Sequence, residues 1–356
     1  MFALSSCFAR PDHLDNCTLK LARGLEMLKT VVSGNRPTNY LHLGNYHGAL
    51  ENWVKLQEDS SFDARYFFVA DWHALTTGYD QTDELKYFTQ QMVIDWLSFG
   101  LDPEKAVIFV QSQIPEHAEL HLIFSMITPL GWLERVPTYK DQQKELAHKD
   151  LSNYGFLGYP CLQTADVALY NATHVPVGQD QVPHIELSRE IVRRFNNIYK
   201  TEYLIEPQSL LTKVPLLPGT DGRKMSKSYN NSIYLKDTAE ESRKKIMPMI
   251  TDPARVRRTD PGDPAICPVY SYHKIYTSEE KQKEICAGCT SASIGCVDCK
   301  KTLIEGMDTT LAPGREKRLE LSENKKYVAD VLANGNDKAQ KIAKTHMEKI
   351  RDIIKI

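Results

Sequence analysis

Residues 27 to about 205 alternate between short apolar runs and longer amphipathic segments, and this alternation is the strongest constraint on the fold. Apolar runs that are bounded by turn residues predict strands. Strands separated by helix-length segments predict a parallel sheet with crossover helices, and such a sheet binds ligands at the carboxyl ends of its strands. The four runs are Thr30–Ser33, Arg65–Ala70, Ala106–Gln111 and His174–Val177.

Strand signals nearly vanish after Asp237, so we expect a helical second half. Two late segments have helical spacing, and we expect separate helices because Asn334-Gly335 is a helix-stop signal. The composition, with 42% hydrophobic and 25% charged residues and a net charge of −2, is that of a soluble globular protein. There is no run of 18 apolar residues, so we expect no membrane-spanning helix and no membrane partner. The apolar positions of the two late helical segments are Leu321, Val328, Val331 and Leu332 in the first, and Ala339, Ile342, Ala343, Met347, Ile350 and Ile354 in the second.

The first 26 residues contain Asp12 and Asp15 and lack both a long apolar core and a small-residue cleavage signature. They therefore do not have the pattern of a secretory signal. We expect residues 1–26 to be a dispensable extension, or to precede the true start codon, and we expect the protein in the cytoplasm.

The segment Pro37–Asn45 follows the first predicted strand and precedes a predicted amphipathic helix. A strand-to-helix junction presents free backbone N–H groups and the positive end of a helix, and Gly44 lets a phosphate approach closely. His42 could then donate a hydrogen bond to that phosphate. The alternative is that His42 is a structural histidine at a strand end.

Lys224-Met225-Ser226-Lys227-Ser228 lies in a polar segment that begins with Gly219, and we expect Gly219–Asn231 to be an exposed loop. Two lysines three residues apart can stabilise the negative charge that develops on a pyrophosphate leaving group. The alternative is a solvated lysine-rich loop. The chain contains neither a P-loop nor a GxGxxG motif, so any nucleotide must be bound by a different kind of motif.

These two motifs, in this order, resemble the HIGH and KMSKS motifs of class I aminoacyl-tRNA synthetases. Within that class the chain from about Met27 to Ile356 is similar to the tryptophanyl-tRNA synthetase family. The resemblance implies a Rossmann-like catalytic domain over 27–218, a KMSKS loop over 219–232 and an α-helical anticodon-binding region over 233–356. It rests further on Gly48-Ala49-Leu50, Ala70-Asp71-Trp72-His73-Ala74, Tyr159-Pro160, Ala165-Asp166, Val175-Pro176-Val177-Gly178-Gln179-Asp180-Gln181 and Asp221-Gly222-Arg223.

The resemblance also implies roles for individual residues. Asp166 would accept the indole N–H of tryptophan, while Tyr159 and Gln181 would hold the α-amino group. His42, Asn45, Lys224 and Lys227 would be catalytic. ATP would contact Arg36, Pro37, Thr38, Gly44, Asn45, Gly178, Gln179, Asp180, Lys224, Met225, Ser226, Lys227 and Ser228.

An indole has one donor and no acceptor, so a pocket that selects it needs a buried acceptor between apolar walls. The carboxylate of Asp166 suits that purpose, although in isolation it could equally be a helix-cap carboxylate. Many bacterial family members have Met at the position of Gln163, so inhibitor sensitivity does not transfer to this chain.

Five cysteines crowd into one stretch of the second half, which suggests a metal site. The spacing of Cys267, Cys289, Cys296 and Cys299 resembles that of four ligands to a [4Fe-4S] cluster in a subset of the same family. Four thiolates suit zinc as well, and Cys286 belongs to a rival zinc-like ligand set.

The implied activity is ATP- and Mg²⁺-dependent charging of tRNA(Trp) with L-tryptophan through tryptophanyl-adenylate, by a homodimer. Two alternatives are a tyrosine-specific class I synthetase and a non-catalytic RNA-binding paralogue that senses redox state. We expect loss of the cysteine site to damage tRNA charging more than tryptophan activation, because the site lies far beyond the KMSKS motif in the chain.

Overall fold

A five-stranded parallel sheet forms the centre of the molecule, in the order β3-β2-β1-β4-β5. The computed structural model describes residues 28–136, 139, 151–211, 217–226 and 229–356. The proposed extension, Lys227 and Ser228 lie outside these ranges. The strands are β1 (Thr30–Asn35), β2 (Ala64–Val69), β3 (Val107–Val110), β4 (His174–Val177) and β5 (Gln208–Leu211).

The prediction of four strands is confirmed, and the fold is the parallel α/β architecture expected of a class I synthetase. The fifth strand was missed because Gln208–Leu211 has only two apolar residues and lies at the sheet edge. Its place is decided by backbone pairing with β4, in which Val175 lies opposite Ser209. Such pairing leaves no periodic signal in a short polar strand.

The sheet has a topological switch between β1 and β4. The chain runs outward from β1 to β2 and β3, then returns to pair β4 with the other edge of β1. Crossover connections therefore diverge at this point and open a crevice at the carboxyl ends of β1 and β4. The functional site is expected there.

Helices surround the sheet and make up most of the second half. No helix in the described ranges is long and apolar enough to cross a membrane. The first two form one continuous helical segment, because a π-helical turn, Tyr46–Leu50, joins them. The helices are α1 (Leu43–Asn45), α2 (Glu51–Glu58), α3 (Asp71–Gly78), α4 (Leu85–Ser98), α5 (Glu116–Ile127), α6 (Leu130–Leu133), α7 (Tyr154–Ala168), α8 (Val182–Tyr199), α9 (Ala239–Ile246), α10 (Pro268–Tyr276), α11 (Glu279–Thr290), α12 (Cys296–Glu323) and α13 (Lys325–Ile354).

The predicted helix stop at Asn334-Gly335 is wrong, because α13 continues through both residues. The absence of a side chain at Gly335 permits close packing on the edge strand: a Cβ there would lie 1.8 Å from the carbonyl oxygen of Ile108. The next residue, Asn336, accepts a hydrogen bond from the Val110 N–H over 3.0 Å. The helix thus covers the β3 edge, and this contact overrides the local stop signal.

Two buried clusters lie on opposite faces of the sheet, because successive strand side chains point to opposite faces. Val31 belongs to one cluster and Val32 to the other. The first cluster also contains Tyr272 of α10, and the second contains Met347 of α13. Both cores are therefore shared between the sheet and the helical second half.

Candidate active site

A cavity of about 350 Å³ lies at the switch between β1 and β4. Val32–Arg36 form one wall at the end of β1, and α7 forms the opposite wall. Gln163 reaches the cavity, as the sequence suggested. The structure thus brings together five of the predicted site residues from three segments: Arg36, Tyr159, Asp166, Gly178 and Gln181.

Asp166 is almost fully buried in α7 and accepts three hydrogen bonds from side chains. His73 donates from Nε2 to Oδ2 over 2.8 Å. Gln111 Nε2 and His117 Nδ1 both donate to Oδ1, each over 2.7 Å. A carboxylate has about four acceptor positions, so three donors leave one position, on Oδ2.

Two of these donors, His73 and His117, control the charge of Asp166. Burial alone would raise the pKa of its carboxyl group, but hydrogen bonds from His117 and His73 outweigh burial and hold the pKa below its ordinary value. Asp166 is therefore ionised at neutral pH. An ionised carboxylate can only accept, which suits a ligand whose polar edge can only donate.

A second hydrogen bond fixes the tautomer of His117. Because Nδ1–H donates to the carboxylate, Nε2 must accept, and it accepts from the Tyr170 hydroxyl over 2.9 Å. Gln111, His117 and Tyr170 were not identified from the sequence. Gln111 directly follows β3, so the rule that sites lie at the carboxyl ends of parallel strands could have found it, whereas His117 lies further on in α5.

Tyr159 of α7 and the residues that follow β4 supply the other predicted contacts. Tyr159 Oη lies 2.9 Å from His184 Nε2, and both residues line the cavity. Gln181 donates to Asp180 Oδ2 over 3.0 Å. Asp180 and Gln179 are exposed and do not reach the cavity.

The HLGN motif, His42–Asn45, forms a capping box. His42 Nδ1 accepts from the Asn45 N–H over 3.2 Å, and Asn45 Oδ1 accepts from the His42 N–H over 3.3 Å. The neutral ring of His42 must therefore carry its proton on Nε2, as a donor. The Asn45 amide, with its oxygen so engaged, retains its NH₂ group as a donor.

The HLGN motif lies against the KMSKS loop. The Leu43 N–H donates to the Ile233 carbonyl, and the Leu235 N–H donates to the Leu41 carbonyl, each over 2.9 Å. A Cβ at Gly44 would lie 3.8 Å from the Met225 sulfur. The two motifs, remote in sequence, are thus adjacent.

The described part of the loop is less exposed than expected, because Met225 and Asn231 are buried. Asn231, which the sequence analysis did not single out, joins three of its residues. Its Nδ2 donates to Asp221 Oδ1 over 2.7 Å and to the Lys224 carbonyl over 3.1 Å, while its Oδ1 accepts from the Ser226 N–H over 2.8 Å. The Lys224 side chain remains exposed.

Two of the residues expected to contact ATP do not line the cavity at the switch. Pro37 and Thr38 line a second cavity, together with Ala74 and Thr77 of α3. Their neighbour Arg36 lines the cavity at the switch, and contact of Pro37 and Thr38 with ATP stays a prediction.

The four cysteines expected to bind metal come from three helices. Cys267 caps the N-terminus of α10, Cys289 lies in α11, and Cys296 and Cys299 lie in the first turn of α12. Burial, followed by the negative charges of the other three, raises the pKa of the Cys299 thiol to about 12. Cys286 instead faces Tyr270.

A metal centre is not visible in this arrangement. Within residues 28–136, 139, 151–211, 217–226 and 229–356, no group of three or more His, Cys, Asp or Glu side chains could hold a metal ion. Cys299 Sγ lies 3.2 Å from His273 Nε2, and Cys289 Sγ lies 3.7 Å from Arg255 Nη1. The prediction of a metal site thus receives no direct structural support.

Comparisons with known proteins agree with the fold. The family model described as tRNA synthetases class I (W and Y) matches residues 28–312. The tryptophan–tRNA ligase of Thermotoga maritima is 55% identical over 322 residues, which is 90% of this chain and 97% of that protein. The corresponding ligase of Ralstonia nicotianae is 42% identical over 391 residues, covering 90% of this chain and 97% of its own.

Solved structures agree. Tryptophanyl-tRNA synthetase from Campylobacter jejuni, complexed with ADP and tryptophan, has a TM-score of 0.82 and 34% identity, covering 92% of this chain and all of that one. The enzyme from Mycoplasma pneumoniae has a TM-score of 0.75 and 28% identity, covering 93% and 98%. Fold and site thus define a class I aminoacyl-tRNA synthetase. The chain belongs to the tryptophanyl-tRNA synthetase family, whose activity is the ATP-dependent ligation of tryptophan to tRNA.

Proposed function

We propose that this enzyme selects L-tryptophan through Asp166 and joins it to tRNA(Trp) through tryptophanyl-adenylate. The observation that carries the proposal is the single acceptor position left on the buried carboxylate of Asp166. An indole N–H fills that position and requires nothing else at its polar edge. The hydroxyl of tyrosine would fill it too, but would leave its own acceptor lone pairs unused.

The proposal assigns the α-amino group to Tyr159 and Gln181, which line the same cavity as Asp166. Gln163 would then contribute part of the wall beside the indole ring. An exchange assay between pyrophosphate and ATP tests the selection. We expect exchange with tryptophan and very little with tyrosine or phenylalanine, whereas equal rates with tyrosine would favour the tyrosine-specific alternative.

In the first step, the tryptophan carboxylate attacks the α-phosphorus of ATP and pyrophosphate leaves. We assign the phosphates to the Nε2–H of His42 and the NH₂ group of Asn45, because the capping box leaves both as donors. Lys224 and Lys227 would stabilise the charge on the departing pyrophosphate. Mg²⁺, when bound with ATP, supplies further neutralisation of phosphate charge.

The remaining predicted ATP contacts are retained as part of the proposal. Arg36 and Gly178 line the cavity. Met225 lies beside the HLGN motif, and Ser226 lies within the KMSKS loop. Gln179 and Asp180 would reach ATP from the exposed rim of the site. In the second step, the terminal ribose hydroxyl of tRNA displaces AMP, so catalysis relies on positioning and charge stabilisation without a covalent protein intermediate.

We also propose that the four cysteines hold a [4Fe-4S] cluster, with zinc as the alternative. The support is chemical: burial and then the charges of Cys267, Cys289 and Cys296 raise the pKa of the Cys299 thiol, and four thiols suit either centre. Cys286 is set apart by its contact with Tyr270, which argues against the rival ligand set. Metal analysis and the absorption spectrum of anaerobically purified protein distinguish the two centres.

A homodimer is the remaining partner proposal. Exposed apolar side chains follow one another along α5 and into α6: Leu122, Met126 and Leu130 are more than half exposed. A contiguous apolar stripe of this kind is typical of an interface between subunits. Sedimentation at micromolar concentration should give a dimer, and Met126→Glu should shift it towards the monomer.

The helical region over 233–356 would read the anticodon, because proteins read RNA sequence in single-stranded loops. Since both cores are shared with the sheet, we propose the divisions 27–218, 219–232 and 233–356 as functional regions of one body.

Charged tRNA is used by ribosomes, so we place the enzyme in the cytoplasm. Residues 1–26 would be dispensable for charging.

A further inference from the structure

Helix α10 carries two tyrosines, one turn apart, that bond to residues next to the two signature motifs. Tyr272 and Tyr276 are buried on the same face of the helix. The Tyr272 hydroxyl donates to the Pro218 carbonyl over 2.6 Å. Pro218 forms an isolated antiparallel bridge with Lys224, so this hydrogen bond holds the backbone segment that is paired with the first lysine of the KMSKS motif.

Tyr276 bonds to the helical segment that follows the HLGN motif. Its hydroxyl lies 2.7 Å from His47 Nε2, and His47 Nδ1 lies 2.7 Å from Glu51 Oε2. Because a carboxylate only accepts, His47 donates through Nδ1 and accepts the Tyr276 hydroxyl at Nε2. His47 belongs to the same continuous helical segment as Asn45. Tyr276 therefore fixes the helix that begins with the HLGN motif.

The start of α10 also supports the turn of the KMSKS loop. Gly222 has a φ of +77°, and a Cβ there would lie 2.6 Å from Ile250 and 3.3 Å from Pro268, the first residue of α10. The Ile250 N–H donates to the Thr220 carbonyl over 3.1 Å. The loop turn is thus seated directly on α10 and on the segment that precedes it.

Lys300 holds that preceding segment from α12. Its buried ammonium group donates to the Met247 carbonyl over 2.8 Å and to the Met249 carbonyl over 2.6 Å. The Tyr272 hydroxyl of α10 therefore holds the base of the loop, and the Lys300 ammonium group of α12 holds the segment on which the loop turn rests.

We infer that α10 is a brace that sets the position of the KMSKS loop relative to the HLGN motif, with Tyr272 and Tyr276 as positioning residues for adenylate formation. Charge stabilisation of a leaving group requires placement within about 0.5 Å. Without the Tyr272 hydroxyl, the Pro218 carbonyl loses the buried group that donates a hydrogen bond to it. The backbone bridge between Pro218 and Lys224 is then free to shift. The inference rests on the proposed role of Lys224.

The test uses Tyr272→Phe and Tyr276→Phe, with Tyr270→Phe as the matched control on the same helix. The Tyr270 hydroxyl donates to the Gln282 carbonyl over 3.4 Å and touches neither motif. We expect each brace variant to lower kcat for pyrophosphate exchange about five- to tenfold, the effect of one hydrogen bond, with an unchanged KM for tryptophan. Tyr270→Phe should leave kcat unchanged.

A second measurement separates positioning from general damage. If Tyr272 acts by placing Lys224, the loss caused by Tyr272→Phe disappears in the Lys224→Ala background. A loss that persists undiminished there, or an equal loss in Tyr270→Phe, overturns the brace. If Lys224→Ala slows exchange but Tyr272→Phe does not, the brace alone fails. If Lys224→Ala leaves the rate unchanged, the proposed role of Lys224 fails and the inference with it.

Discussion

Arg318 of α12 forms a buried ion pair with Asp95 of α4, with 2.6 Å between Nε and Oδ1. The second carboxylate oxygen of Asp95 accepts from the Leu41 N–H over 3.4 Å. Leu41 immediately precedes the HLGN motif. A helix of the second half therefore neutralises a buried charge beside the segment that begins the active site.

This pair predicts a pH-dependent loss of stability. Burial, despite the opposing charge of Arg318, raises the pKa of Asp95 from 3.8 to about 6. A carboxyl group whose pKa is higher in the folded than in the unfolded protein stabilises the folded state most below pH 4. This stabilisation is lost as the pH rises from 4 to 6. Arg318→Met would leave the charge unpaired and should cost about 3–5 kcal/mol at pH 8. The cost should be smaller at pH 5, where Asp95 can bind a proton.

Urea unfolding of both proteins at pH 5 and pH 8 checks this expectation. Addition of Asp95→Asn to Arg318→Met should recover part of the stability at pH 8, because the unpaired charge is removed. An equal loss at both pH values would contradict the explanation.

Lys227→Ala should lower the rate of adenylate formation by roughly two to four orders of magnitude while changing tryptophan affinity little. The physical reason is that the lysine acts mainly on charge that develops in the transition state. Single-turnover kinetics and equilibrium binding of tryptophan measure the two quantities. Lys244→Ala on the exposed face of α9 is the control, and comparable losses in rate and binding would contradict the assignment.

Asp166→Ala should weaken tryptophan binding about 10- to 100-fold and relax discrimination against phenylalanine, because the indole N–H loses its acceptor. Tyr170→Phe should have a smaller effect, since it removes only the hydrogen bond that orients His117. KM values for both amino acids in pyrophosphate exchange distinguish the two variants. If Asp166→Ala rejects phenylalanine as strongly as the parent does, Asp166 is not the partner of the indole.

The cysteine site makes a spectroscopic prediction. Anaerobically purified protein should be brown with about four irons per chain, and Cys289→Ser should lose the colour while Cys286→Ser keeps it. A colourless protein with one zinc would refute the cluster.

The effect of the cysteine site on the two reactions stays a prediction, but the structure favours a different balance from the one expected from chain position. Cys267 occupies the N-cap position of α10 without a side-chain capping hydrogen bond, so a centre held by Cys267 would fix the start of the helix that supports the KMSKS loop. We therefore expect Cys267→Ser to slow pyrophosphate exchange as well as aminoacylation. If Cys267→Ser catalyses pyrophosphate exchange at the parental rate, the original expectation stands that the cysteine site matters more for tRNA charging than for tryptophan activation.

The sequence by itself predicted four strands correctly, and it singled out the HLGN and KMSKS motifs and Asp166 as candidate site residues, because each leaves a local pattern or a family motif. Tertiary structure alone decided which side chains surround Asp166. Gln111 and His117 come from beyond β3, so their meeting with α7 depends on the order of strands in the sheet.

The same reason explains the helix that continues through Asn334-Gly335 and the two tyrosines of α10. A glycine is a stop signal in isolation and a packing position against Ile108 in the fold. Tyr272 and Tyr276 have helical spacing in the sequence, but the two motifs that they join are brought to one face of α10 only by long-range packing. Local periodicity reports which face of an element is buried, and the partner on that face is chosen by the whole chain.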